Sequence, residues 1–170
     1  RATIKLLLKK NYNVFNVDLV NHPELEVPFT KVDLENFGEA IESVSEIDDR
    51  INGIDAVIHQ AAIPASGLET NHKTFRANTL STYNIFQAAK VMKINNIVWA
   101  SSETVLGLPF DTYPPYVPVD EKYAPRPESS YSLSKVMGEE MARQYCRRNP
   151  EMKIFGLRYS NIMEKKDYKQ

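Results

Sequence analysis

The chain has 170 residues, 42% of them hydrophobic and 25% charged, with a formal net charge of -1 at pH 7. That supplies one substantial core and fits a single domain. The mixed signs leave no basic stripe that could follow a nucleic-acid backbone, and no run of about 18 apolar residues could cross a bilayer, so nucleic acid and membrane are both set aside as partners.

The first residues lack the charged, apolar and small-residue sections of a secretory leader, which makes a cytoplasmic location the expectation. Ala2 to Lys10 places Ile4, Leu7 and Leu8 on one helical face, and Asn13 to Asp18 alternates apolar and polar residues as a strand does. Phe29 to Asp33 reads as another short strand. Glu35 to about Ile51 repeats Phe37, Ile41, Val44 and Ile47 at helical spacing. Asp55 to His59 is a compact apolar strand, Thr70 to about Met92 a long amphipathic helix, and Asn96 to Ser101 a further buried strand. Between Leu106 and Pro127 the prolines at 109, 114, 115, 118, 125 and 127 exclude a regular helix or central strand, so this stretch is a loop. A loop that long inside a compact domain is usually functional or disordered. Ser130 is positioned to cap a helix running to about Arg148, and Lys153 to Leu157 closes the series as a strand. The alternation of strands and helices predicts an α/β domain: a parallel sheet with helices on both faces.

Four features of this framework bear on chemistry. Asp18 ends an early strand, where an acid in a dinucleotide-binding fold accepts hydrogen bonds from the adenosine ribose and repels a 2′-phosphate, favouring NAD over NADP. The glycine-rich loop should precede such an acid by about 20 residues, which puts it ahead of Arg1. Directly after the Asp55 strand comes His59-Gln-Ala-Ala62, whose small residues would let a flat cofactor lie against backbone. The third feature is Ala100-Ser-Ser-Glu-Thr-Val-Leu-Gly107, at another strand end. The fourth is Tyr131-Ser-Leu-Ser-Lys135 in a helix, with Tyr and Lys four apart on one face. A tyrosine hydroxyl is a poor base near neutral pH, and a nearby ammonium favours the phenolate form. At about 4 Å and an effective dielectric of about 20 that attraction is of order 4 kcal/mol. A serine hydroxyl across the substrate oxygen would orient it and share developing charge.

Other reactive side chains read as structural. His59 ends a buried strand with no carboxylate or Cys spaced to orient it, and Cys146 sits at helical spacing among Met141, Ala142 and Tyr145 without a His or Cys partner in sequence.

The order of these motifs resembles the extended short-chain dehydrogenase/reductase superfamily, in its branch of NAD-dependent epimerases and dehydratases that includes the UDP-glucose 4-epimerases. The resemblance covers nearly the whole chain. It implies a Rossmann-type doubly wound parallel sheet over residues 1–170, without the first strand and without the C-terminal part that recognises the substrate, so that the natural chain is longer at both ends. It further implies that Asp18 contacts the adenosine ribose, that Asp33 lies near the adenine, and that Gln60, Ala61 and Ala62, with Ala100 and Ser101, line the cofactor cleft. Asn78 matches a structural, cofactor-side asparagine. Ser102 matches the catalytic serine by its five-residue spacing to Gly107, Tyr131 the acid/base, and Lys135 the residue that binds the nicotinamide ribose. Tyr159 and Asn161 would border nicotinamide and substrate. The implied reaction is hydride transfer between NAD and a sugar or nucleotide sugar. Leu106 stands where the family usually has Tyr. The stretch from Trp99 to Gly107 and Pro125-Arg-Pro also resembles the uronate dehydrogenases of the same superfamily, so a sugar acid competes as substrate, and a non-catalytic NAD-binding scaffold is the third reading. The family often pairs through its two long helices, which would turn Met137, Met141 and Tyr145 toward a second copy. Packing of the same three residues against the sheet is the alternative.

Overall fold

A computed structural model of the chain describes residues 1–45 and 53–163. Helix α1 (Ala2–Lys9) has no buried residues. It leads to β1 (Asn16–Asp18), which pairs in parallel with β2 (Phe29–Lys31) in a two-stranded sheet. Helix α2 (Phe37–Glu42) starts two residues later than its apolar pattern suggests, because Asn36 caps it. The Asn36 side chain accepts from the backbone N–H groups of Gly38 and Glu39, and Glu39 in turn accepts from the Asp33 N–H at 2.7 Å. The Ile47 to Ile51 part of the expected helix lies outside the described residues.

The second sheet is larger. β3 (Ala56–His59), β4 (Asn96–Ser102) and β5 (Lys153–Tyr159) are all parallel, with β4 in the middle. β4 and β5 each run past the expected ends at Ser101 and Leu157, pairing Ser102 with Tyr159. Between β3 and β4 lies α3 (Asn71–Val91), capped by Thr70, and between β4 and β5 lies α4 (Ser130–Arg148). The cap of α4 is Ser129, not Ser130: Ser129 Oγ accepts from the Ser132 N–H while Ser132 Oγ accepts from the Ser129 N–H. A reciprocal box satisfies two otherwise unpaired donors, which a single serine one residue later could not do.

Period-two alternation decides which side of the larger sheet is packed. Ile97 and Trp99 face α3 and α4 and are essentially inaccessible, as are Phe86 and Ala89 of α3. The Trp99 ring meets Phe86 edge-on at 6.1 Å, and Phe86 meets Tyr145 at 6.0 Å. So large a ring fits only because α4 has Gly138 opposite it: a Cβ there would overlap the Trp99 indole. Tyr145 is buried in this core and Met141 is packed against it, whereas Met137 remains exposed. On the other face of the sheet Ile58, Phe155 and Leu157 stay exposed, so the described helices α3 and α4 cover one side only. β1 and β3 are not hydrogen-bonded to each other, but Val17 and Val57 pack against the same core, so the two sheets share one interior.

Candidate active site

Parallel strands bring their carboxyl ends to one edge, and in open α/β sheets that edge binds the ligand. Here it collects Asp18 at the end of β1, His59 and then Gln60 after β3, Ser102 at the end of β4 and Tyr159 at the end of β5. A cavity of about 590 Å³ opens at the edge of the larger sheet, with Gln60, Ala62, Ala100, Ser102, Tyr131 and Lys135 among its lining. Ser101, Tyr159 and Asn161 also border it.

The two serines are turned to different tasks. Ser101 donates its hydroxyl proton to Glu139 of α4 at 2.8 Å. Ser102 instead accepts, from the Thr104 N–H at 3.2 Å and the Thr104 hydroxyl at 3.0 Å, which starts the short 3-10 turn Glu103–Leu106. Two accepted bonds leave the Ser102 proton available to a substrate oxygen. The turn ends at Gly107 with φ 90°, where a Cβ would come within 3.0 Å of the Arg126 carbonyl, so the proline-rich loop returns across a position that requires glycine.

Tyr131 stands in the first turn of α4, half-buried, and Lys135 one turn deeper, 4% exposed. The Lys135 ammonium donates to the Ala100 carbonyl at 2.8 Å and lies 5.4 Å from the Trp99 ring centre and 5.6 Å from that of Tyr131. Burial lowers its pKa to about 8, so it is still mostly cationic at pH 7. His59 is fully enclosed at the end of β3, its Nε2 3.4 Å from the Thr82 hydroxyl. Burial, with a smaller push from the Lys135 charge, lowers its pKa to about 3, so the ring is neutral and Lys135 is the local cation. The arrangement therefore offers a hydroxyl group with an ammonium behind it and a second, proton-donating hydroxyl at the neighbouring strand end. Such a set can move one proton and stabilise a developing oxyanion.

Several expected residues lie elsewhere. Asn78 is buried behind the cleft: its side chain accepts from the Ile63 N–H at 2.8 Å and donates to the Ile63 carbonyl at 3.1 Å and to Ser134 at 3.4 Å. It shapes the loop after β3 from behind. Asp18 accepts from the Val20 N–H, and Asp33 caps a turn at Glu35. Both are at strand ends of the smaller sheet and outside the cavity lining, as is Ala61. Gln60 is held by mutual bonds with Thr3 of α1. Sequence reasoning passed over Trp99 as a platform for Lys135, and Glu139 and Arg158, although Glu139 repeats the four-residue step from Tyr131 to Lys135. Among the described residues no cluster of His, Cys, Asp or Glu is arranged to hold a metal, and no helix is long and apolar enough to cross a membrane.

The sequence matches the profile of the NAD dependent epimerase/dehydratase family over residues 1–168. A putative UDP-glucose 4-epimerase of Methanocaldococcus jannaschii is 32% identical over 92% of this chain and 50% of its own length. A uronate dehydrogenase of Pseudomonas syringae pv. tomato is 30% identical over 56% of this chain and 32% of its own length. The crystal structure of UDP-glucose 4-epimerase from Brucella ovis in complex with NAD superposes with a TM-score of 0.78 at 25% identity, over 94% of this chain and 47% of that one. The chain thus spans about half the length of these epimerases.

Proposed function

The chain belongs to the NAD-dependent epimerase/dehydratase family, and from that premise we propose that the whole protein is an NAD-dependent oxidoreductase acting on a sugar or nucleotide sugar, most like a UDP-glucose 4-epimerase. The observation that carries the reading is the buried Lys135 ammonium, fixed between the Ala100 carbonyl and the Tyr131 ring, with the uncommitted Ser102 proton at the next strand end.

Small residues at the strand ends, Ala62, Ala100 and Ser101, leave a flat approach for a nicotinamide, and Lys135 and Tyr159 flank it, so the residues present suit NAD. When bound, NAD supplies the two-electron acceptor that no side chain here can provide. Within the site Tyr131 takes the proton of the substrate hydroxyl, Ser102 donates to the same oxygen and orients it, and Lys135 places a positive charge one helical turn beneath Tyr131. Gln60 and Ala62 border the nicotinamide side, and Asn161 the substrate side. Asp18 would accept from the adenosine ribose hydroxyls and disfavour NADP, with Asp33 near the adenine and Asn78 acting from behind.

The relative that is a uronate dehydrogenase raises the sugar-acid reading. Apart from Lys135, the charged side chains lining the cavity are acidic, Glu103, Asp111 and Glu128, and they favour a neutral sugar ring over a carboxylate. The exposed Leu80 and Tyr83 of α3 and Leu133 and Met137 of α4 provide the surface for the proposed homodimer.

The test is product analysis with the full-length protein and NAD against nucleotide sugars, free sugars and uronates. Accumulating NADH identifies a dehydrogenase, and an epimer formed without net NADH identifies an epimerase. NAD binding with no conversion of any sugar would leave a non-catalytic scaffold.

A further inference from the structure

Glu139 lies one turn beyond Lys135 on α4, with its side chain 11% exposed, and three elements meet on its carboxylate. Arg158 of β5 grips it in a fork, Nε to Oε1 and Nη2 to Oε2, each at 2.8 Å. Ser101 of β4 donates to Oε1 at 2.8 Å, and Arg143 of α4 approaches Oε2 at 3.6 Å. Burial pushes the carboxyl up, but the bonds from Arg158 and Ser101 and the charges of Arg158 and Arg143 outweigh it and hold it below the usual carboxylate range. Most surface ion pairs contribute little. A bidentate guanidinium fork on a largely buried, hydrogen-bonded carboxylate is geometrically specific and is held more strongly.

The position of the clamp is what makes it informative. Ser101 immediately precedes Ser102, Arg158 immediately precedes Tyr159, and Glu139 follows Lys135 by one helical turn. Beside it, Gly138 lets α4 approach until the Trp99 ring lies under Lys135. The Lys135 ammonium is faced by His59 from β3, Tyr131 from its own helix, and Trp99 and the Ala100 carbonyl from β4.

We infer that Glu139 is a positioning residue: its clamp to Arg158 and Ser101 sets how closely α4 is drawn onto β4 and β5, and thereby where Lys135 and Tyr131 stand relative to Ser102. This rests on the proposed oxidoreductase reading for its consequence in turnover, though not for its consequence at Lys135.

The experiment compares the full-length wild type with Glu139→Ala, Glu139→Gln and Arg158→Lys. Its first readout needs no substrate: the pH midpoint for acetylation of Lys135 by acetic anhydride, followed by peptide mass spectrometry. Its second is kcat, KM and the pH profile of kcat on whichever sugar the wild type converts. In the wild type the Lys135 midpoint is expected near its lowered pKa of about 8. Glu139→Ala should move it upward, as α4 relaxes and water reaches the ammonium. The same variant should lower kcat at least about tenfold with KM nearly unchanged, since small misplacements of reacting groups are costly. Glu139→Gln, which still accepts from Ser101 and Arg158, should recover part of both effects, and Arg158→Lys, which loses the fork, should resemble the alanine variant. A Lys135 midpoint and kcat profile that stay fixed while only the melting temperature falls would reduce Glu139 to a brace and overturn the inference. If Glu139→Ala fails to fold, the other two variants decide in the same way. A wild type that turns over no sugar would sink the functional reading, and the Lys135 midpoint would still decide the clamp.

Discussion

The two sheets of this protein hold their functional groups in opposite ways. In the larger one, β4 and β5 are seven residues long, Trp99 and Ile97 are buried, Ser102 is tied to Thr104, Lys135 to Ala100, and α4 to β4 and β5 through Glu139. In the smaller one the strands are three residues long, α1 buries nothing, and the acids Asp18 and Asp33 accept hydrogen bonds from nearby backbone groups. The difference teaches that the geometry proposed for proton transfer is built into the α3–α4 half itself, while the acids proposed for the adenosine side have little structure of their own behind them.

The contrast can be tested by perturbing each half. The largest effect is expected with acid. The enclosed His59 has a pKa lowered to about 3 against an ordinary 6.5. Between those values the unfolded chain binds a proton that the folded chain refuses, so stability is full above about pH 6.5 and is lost as pH falls toward 3. The loss should reach several kcal/mol, of order 4. Urea titrations of the full-length protein across that window should show it, and His59→Gln should flatten the dependence.

Next comes packing. Gly138→Ala puts a Cβ into the Trp99 indole, and overpacking of this kind costs about 1–3 kcal/mol. Chemical denaturation should register that loss, and the variant should also lose activity because Lys135 rests on the same ring. Asp18→Ser, on the other side of the contrast, should leave the melting temperature unchanged and reduce the preference for NAD over NADP by about tenfold, a differential of about 1.4 kcal/mol, read as the ratio of the two cofactor affinities. Smallest of all is Leu6→Ala in α1. That side chain is 54% exposed, so its removal should change stability by less than about 0.5 kcal/mol. A loss as large as that of Gly138→Ala would break the comparison.

What the sequence made legible follows the same division. Short apolar runs located β3 and β4, alternation located β1, and the four-residue step placed Tyr131 and Lys135 on one face, because strands and helices impose such patterns locally. Strand ends were misjudged where pairing rather than apolarity sets the limit, as at Ser102 and Tyr159. The α4 cap was placed one residue late, because adjacent serines are equivalent until the reciprocal bond with Ser132 chooses between them. The Glu139–Arg158 fork joins residues 19 apart, and the Trp99–Gly138 fit joins two elements, so neither has a local signature. Asn78 was recognised as a motif, while its bonds to Ile63, 15 residues away, had no local signature.

The central claim is that Tyr131, supported by Lys135 and Ser102, moves the proton in an NAD-dependent reaction on a sugar. The most direct measurement is turnover of the full-length wild type and of Tyr131→Phe at saturating NAD, with cofactor affinity measured in parallel. The account predicts conversion by the wild type and a loss of at least about 100-fold in the variant, the scale of a missing general base, with NAD still bound equally well. A variant that keeps the wild-type rate would contradict it.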